Sequence, residues 1–105
     1  MANFRTDSFK TIDLTGVCYQ GVIRTTYDTL EKTFGEPRGG DGEKVTCEWR
    51  IEFDDGTVAT IYDWKQQRTP YGEYEWHIGG HDESAVAAVY EAVEDMIRED
   101  GNEFF

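Results

Sequence analysis

Hydrophobic and polar residues alternate most regularly between Lys44 and Phe53. Val45, Cys47, Trp49, Ile51 and Phe53 fall on one side, and Lys44, Thr46, Glu48, Arg50 and Glu52 on the other. This alternation of β-favouring residues predicts a half-buried strand. Asp54-Asp55-Gly56 is hairpin chemistry, so a partner strand is expected over 57–64. Two registers fit that hairpin. A two-residue turn at Asp55-Gly56 pairs Phe53 with Val58 and turns Tyr62 and Trp64 inward. A three-residue turn with Gly56 in a bulge pairs Phe53 with Thr57 and Trp49 with Ile61. Ala59 and Ile61 then face the core, and Tyr62 and Trp64 lie outside beside Arg50 and Glu48. A one-residue slip exchanges the two sets, and the run 57–61 is apolar enough to satisfy either.

Upstream, residues 16–23 are β-rich and bounded by glycine, which predicts a first strand with a bulge at Gly21. Tyr27, Leu30 and Phe34 then recur at helical spacing, after Thr25 or Thr26 as cap and before Gly35 and Pro37 as stop. A helix over 26–34 follows. Downstream, Tyr74, Trp76 and Ile78 alternate with Glu73, Glu75 and His77, predicting a strand over 73–78 ended by Gly79-Gly80. Val86, Val89, Tyr90, Val93 and Ile97 form the apolar stripe of a last helix over 83–99, capped by Asp82 or Ser84 and widened by Ala85, Ala88 and Met96. Residues 1–12 read as a flexible arm and 100–105 as a frayed acidic tail. The expected fold is a single two-layer α+β domain over 13–99, ordered β-α-β-β-β-α. Its last three strands form an antiparallel meander under the C-terminal helix.

Charge changes this picture more than composition does. Asp and Glu number 22 against 10 Lys and Arg, a net charge of −12 over 105 residues. Such a surface repels nucleic acid and anionic membranes and attracts basic proteins. The start of the chain has no apolar signal-like run, and nothing approaches the length of a membrane span. A reducing cytosol is expected, with Cys18 and Cys47 both buried and inert.

Candidate chemistry is sparse. No nucleophile-elbow, phosphate-loop or metalloprotease motif occurs, so no catalytic residue, cofactor or metal is assigned and a non-enzyme is expected. His77 and His81 flank Gly79-Gly80, and a strand ending in glycines just before a helix can hold an anion. Asp82 and Glu83 oppose that role, and a metal site of His77, His81 and Asp82 lacks a ligand motif. Asp54 and Asp55 are explained by their turn. The largest charge cluster is Glu91, Glu94, Asp95, Glu99 and Asp100, joined by Glu83 and Glu103 and by Glu73 and Glu75 on the strands. It is either an ordinary solvated face or a row imitating phosphates for a basic groove. Tyr62 and Trp64 are the aromatic anchors such a contact would use.

The segments Trp49-x-Ile51-x-Phe53-Asp54-Asp55-Gly56-Thr57-Val58-Ala59-Thr60-Ile61-Tyr62-Asp63-Trp64-Lys65 and Trp76-His77-Ile78-Gly79-Gly80 resemble small proteins of tailed-phage genomes. So does the Thr-Tyr-Asp-x-Leu helix ending Phe-Gly-Glu-Pro within 26–37. The likeness spans about residues 16–93. It implies a phage or prophage accessory protein acting in the bacterial host cytoplasm, and it carries no functional residues with it. A helix ending Gly-x-Pro before a Trp-containing meander is also similar in architecture to the repeat of β-lactamase-inhibitor-like proteins, a likeness of fold alone.

The expected function is inhibition of a host defence component, such as a CRISPR effector or another nucleic-acid-handling complex. The partner would be a basic host protein or nucleoprotein, with no direct nucleic acid or membrane contact. The alternatives are a nucleotide-signal binder or sponge at the glycine turn (His77, Gly79, Gly80, His81) and a phage structural or assembly component. A homodimer through an exposed strand edge is a further option.

Overall fold

The computed structural model describes residues 4–6, 12–40, 43–66 and 68–102, with side chains as far as Glu99. The elements are β1 (Phe4–Thr6), β2 (Cys18–Thr25), α1 (Tyr27–Phe34), β3 (Arg38–Gly39), β4 (Cys47–Phe53), β5 (Val58–Tyr62), β6 (Tyr74–Gly80) and α2 (Ser84–Asn102). All strands join one antiparallel sheet in the order β1-β4-β5-β6-β2, with β3 also on the outer edge of β4. Both helices lie on one face, α2 packing on β2, β5 and β6 and against α1. The chain is therefore the expected small α+β domain.

Register follows from one turn. Phe53 N–H donates to the Thr57 carbonyl at 2.8 Å, and Gly56 N–H to the Phe53 carbonyl at 2.9 Å. Gly56 has φ of 91°, a left-handed value that a side chain disfavours. The loop is thus three residues long, and Trp49 pairs with Ile61 and Glu48 with Tyr62. Ala59 and Ile61 enter the core, while Tyr62 points away from the helices.

The core is built on two indoles. Trp49 and Trp76 are both buried and meet edge to face at 5.4 Å. Each indole N–H is satisfied, Trp49 on the Gly35 carbonyl at 2.7 Å and Trp76 on the Thr25 carbonyl at 3.3 Å. Burying an indole removes roughly 200 Å² from water, or about 5 kcal/mol before entropy is counted. Leu30 and Phe34 of α1 and Val89 and Val93 of α2 close over them. α1 begins where the Thr26 hydroxyl accepts the Thr29 N–H and ends where Gly35 N–H reaches the Glu31 carbonyl.

The ends of the chain depart from expectation. Phe4–Thr6, placed in a flexible arm, forms a strand because Phe4 packs edge-on against Phe34 and Phe53 over the open edge of β4. Ile12 is also buried; residues 1–3 and 7–11 lie outside the described set. α2 continues through Asn102 rather than stopping at 99, so 100–102 of the expected frayed tail are helical, and 103–105 also lie outside the described set. The bulge expected in β2 is present, as a register shift between Tyr19 and Gly21.

Gly79 and Gly80 do not end β6 but are its last two residues. A Cβ at Gly79 would lie 2.5 Å from the Thr60 hydroxyl oxygen, and one at Gly80 would collide with the Ala85 side chain. These glycines exist for close packing on the two faces of the strand.

Candidate interaction surfaces

The acidic residues separate into two populations. On the sheet three of them are neutralised in place. Glu52 pairs with Arg5 at 2.8 Å, Glu48 with Arg50 at 2.8 Å, and Glu73 with Arg24 at 2.6 Å. Glu75 is exposed, opposite Arg24 in the β2–β6 register. On α2 and at Glu83 just before it they are not neutralised. Glu83, Glu91, Glu94 and Glu99 are all exposed, and no ion pair reaches them among the described residues. Asp95 is the exception, half-buried and held 3.3 Å from Arg98.

α2 faces outward in this way because its buried stripe runs through Ala85, Val89, Ala92 and Val93. That stripe is rotated from the expected one, so Tyr90 and Ile97 emerge at the margin with 40% and 54% exposure. Tyr90 leans over the sheet edge, and its hydroxyl donates to the Val22 carbonyl at 2.8 Å. Glu94 lies between Tyr90 and Ile97 at helical spacing, so the acidic face carries apolar neighbours.

The second surface is the helix-free face of the sheet. Tyr62 stacks on His77 at 5.5 Å with an interplanar angle of 24°. Tyr19 joins from β2, its ring 5.3 Å from His77, and Trp64 from the end of β5 at 6.2 Å. Lys44 and Lys65 hold their ammonium groups 5.5 and 5.9 Å from the Trp64 ring. Tyr19 and Trp64 are exposed. Partial burial pushes the Tyr62 phenol above its ordinary pKa, and Glu48 adds to the effect. His77 Nδ1 is buried with no hydrogen-bond partner.

The residues expected to act together are thus divided. Glu83, Glu91, Glu94, Asp95 and Glu99 lie on the helical layer. Tyr62, Trp64 and Glu75 lie on the opposite face, and Glu73 is tied to Arg24. One contact cannot use both sets. The cause is the three-residue turn at 54–56, which sends Tyr62 outward.

The glycine-turn site is also taken apart. Gly79 and Gly80 are buried in β6, His77 belongs to the aromatic cluster, and His81 Nε2 is bonded to the Thr15 carbonyl at 2.8 Å. Among the described residues, no three or more His, Cys, Asp or Glu side chains are grouped to hold a metal ion. Cys18, expected inside, is exposed near the β2 bulge. Cys47 is buried, and burial raises its thiol to about 11.

Sequence reasoning gave no role to Tyr19, Lys44 or Lys65. Their signal is cross-strand, because Tyr19 sits opposite Gly79 and so stands free beside His77. It also gave none to Asp63. That carboxylate is fully buried and accepts the Thr46 N–H and hydroxyl, both at 2.7 Å, and the Cys47 N–H at 3.3 Å.

No helix among the described residues is long and apolar enough to cross a membrane. Comparison of the chain with protein families, curated proteins and solved structures finds no match.

Proposed function

We propose that this chain is a non-enzymatic binding domain that meets a basic protein or nucleoprotein through the outer face of α2. The observation that carries the reading is the segregation of charge. Glu48, Glu52 and Glu73 on the sheet are matched by arginines, whereas Glu91, Glu94 and Glu99 project from one helix whose span contains a single cation, Arg98, with Glu83 just ahead of its first turn. Anions with no ion partner of their own have no internal pair to break on binding, and they steer a cationic partner toward the helix.

Glu91, Glu94 and Glu99 span about 12 Å along the helix axis at 1.5 Å per residue, and Glu83 stands ahead of the first turn. A row of that length suits a groove built for a nucleic-acid backbone. Tyr90 and Ile97 supply apolar contact on the flank of the row, a place the sequence reading had given to Tyr62 and Trp64. In keeping with the resemblance to phage proteins, the target is a host defence complex, such as a CRISPR effector, in the bacterial cytoplasm. The mechanism is occlusion of the groove.

The test is displacement of labelled target DNA from a purified CRISPR effector complex. The wild-type chain displaces it, and less so as salt rises. Glu91→Lys with Glu94→Lys weakens displacement at least tenfold. Absence of displacement at low salt, or displacement indifferent to the double charge reversal, overturns the reading.

A further inference from the structure

β2 is the last strand of the sheet, and its ladder with β6 uses one of its two edges. The registers fix which groups face the other way. Phe53 bonds to Thr57, and bonded pairs alternate along an antiparallel ladder, so Ile51 and Trp49 also bond to β5. Carried across β5 and β6, the alternation assigns Gly21, Ile23 and Thr25 to the bonds with β6. The backbone N–H and C=O groups of Val22 and Arg24 therefore point away from the sheet. Among the described residues, the Tyr90 hydroxyl on the Val22 carbonyl is the one hydrogen bond made to them. A carbonyl accepts twice, so Tyr90 leaves that group open to a second donor.

α2 runs along this edge. A Cβ at Gly21 would lie 3.1 Å from the Val86 side chain, and Tyr90, one turn later, reaches Val22. Between helix and strand lies a groove lined by Gln20, Glu83, Val86, Ala87 and Tyr90. Glu94, a turn beyond Tyr90, continues the same side of the helix. The groove thus combines unpaired backbone groups on one wall, apolar side chains in the middle and a carboxylate toward each end.

We infer that this edge receives an extended cationic segment of the basic partner, added to the sheet beside β2. The inference rests on the reading that the partner is basic, and adds how that partner is held. Charge selects this occupant over a second copy of the chain. Two copies joined through β2 would set two acidic helices side by side, each from a chain of −12. At the other end of the sheet, β1 and β3 lie along the outer edge of β4, which leaves β2 as the long free edge.

Spacing gives the segment a pattern. Its residues opposite Val22 and Arg24 make the backbone bonds, and their side chains share the side of Val22, away from the buried Ile23. Its residues opposite Gly21, Ile23 and Thr25 turn toward α2. The middle one meets Tyr90. The outer two stand about 7 Å to either side, and direct their charges toward Glu83 and Glu94, about 10 and 6 Å along the helix from Tyr90. The pattern is cation-x-apolar-x-cation.

Fluorescence anisotropy of a labelled Lys-Thr-Val-Thr-Lys peptide, flanked by glycines and titrated with the full chain, tests this. The expected result is saturable binding with a Kd of about 10–300 µM at about 0.02 M salt, at least threefold weaker at about 0.3 M. N-methylation of the two threonine amides keeps every charge and side chain, and weakens binding at least tenfold. Glu83→Lys weakens it at least fivefold. Val22→Pro removes an outward N–H and no bond to β6, and weakens binding at least tenfold. Circular dichroism checks its fold, and the N-methylated peptide decides the matter if that variant does not fold. Absence of saturable binding up to about 1 mM chain overturns the inference. So does binding indifferent to N-methylation, which would mean that charge alone attracts the peptide. Either result leaves displacement of DNA by the outer helix face standing, and failure of that displacement leaves the peptide titration readable, so the two readings fail separately.

Discussion

The carboxylate of Asp63 holds the backbone N–H of Thr46 at 2.7 Å, joining the entry of β4 to the exit of β5. The Thr46 hydroxyl reaches the same carboxylate and also meets the Thr69 hydroxyl at 2.8 Å, which extends the clasp into the 63–69 loop. A buried carboxylate is tolerated because its oxygens are answered by these donors. Asp63→Asn replaces one of the two acceptor oxygens by an amide NH2 that faces a donor. It is expected to cost about 1.5–3 kcal/mol in urea unfolding. A loss below about 0.5 kcal/mol, as for an ordinary surface change, would show the clasp to be dispensable.

Gly79 tests the packing account of the paired glycines. Gly79→Ala places a methyl group against Thr60 and is expected to destabilise the chain by about 1–3 kcal/mol. Gly72→Ala meets nothing within 4 Å and serves as the control, with a change near zero. Equal midpoints for the two variants would contradict this account.

The two thiols should react differently. Cys18 is exposed, while Cys47 is buried with its thiol raised to about 11, so little thiolate forms at neutral pH. A chromogenic disulfide reagent is expected to titrate one equivalent in the native chain and two in denaturant. Two fast equivalents in the native chain would mean that Cys47 is reachable.

Acid should act through the turn carboxylates. Asp55 accepts the Thr57 N–H, Asp13 the Thr15 N–H, and Asp82 bonds to Ser84; each holds its carboxyl below the ordinary value of 3.8. The unfolded chain therefore takes up protons first as pH falls. The stabilisation is whole above about pH 4 and disappears as pH drops through the lowered values. Asp55→Asn should flatten the acid limb of a stability–pH curve, measured by thermal unfolding between pH 2 and 5. An unchanged limb would remove Asp55 as a contributor.

The Tyr90 hydroxyl on the Val22 carbonyl is worth about 1 kcal/mol by the same reasoning. Tyr90→Phe should lower stability by that amount in chemical unfolding, and no measurable change would indicate that water serves the carbonyl equally well.

Much of the fold was legible because local signals agreed. The alternation in β4, the Thr26 cap with Gly35 stop, and the spacing of α2 each predict their element. What failed is non-local. β1 is three residues whose strand character comes from Phe4 meeting Phe34 and Phe53, contacts absent from its own neighbourhood. Gly79-Gly80 reads as punctuation until Thr60 and Ala85 are seen pressing on it. The hairpin register turned on whether Asp55 joins Gly56 in a left-handed conformation, as a two-residue turn requires; it does not, and apolar pattern alone does not encode this. Of the candidate site, the acidic helix face was legible from spacing. The aromatic cluster was half legible, since Tyr62 and Trp64 are near in sequence while Tyr19 arrives only through β2.

The placement of β2 has a consequence for synthesis. Among the described residues, 18–25 pair with 74–80, and residues 4–6 of β1 pair with 51–53. Hairpins such as β4–β5 close within microseconds, but pairings this distant are slow because the intervening chain must first be ordered. On the ribosome, β2 emerges early and waits, its bonding edge unmatched, until some 55 further residues have been polymerised at about 5–20 per second. The nascent chain is thus exposed to wrong pairings for several seconds, and the anionic character of the whole sequence keeps neighbouring nascent copies apart during that interval.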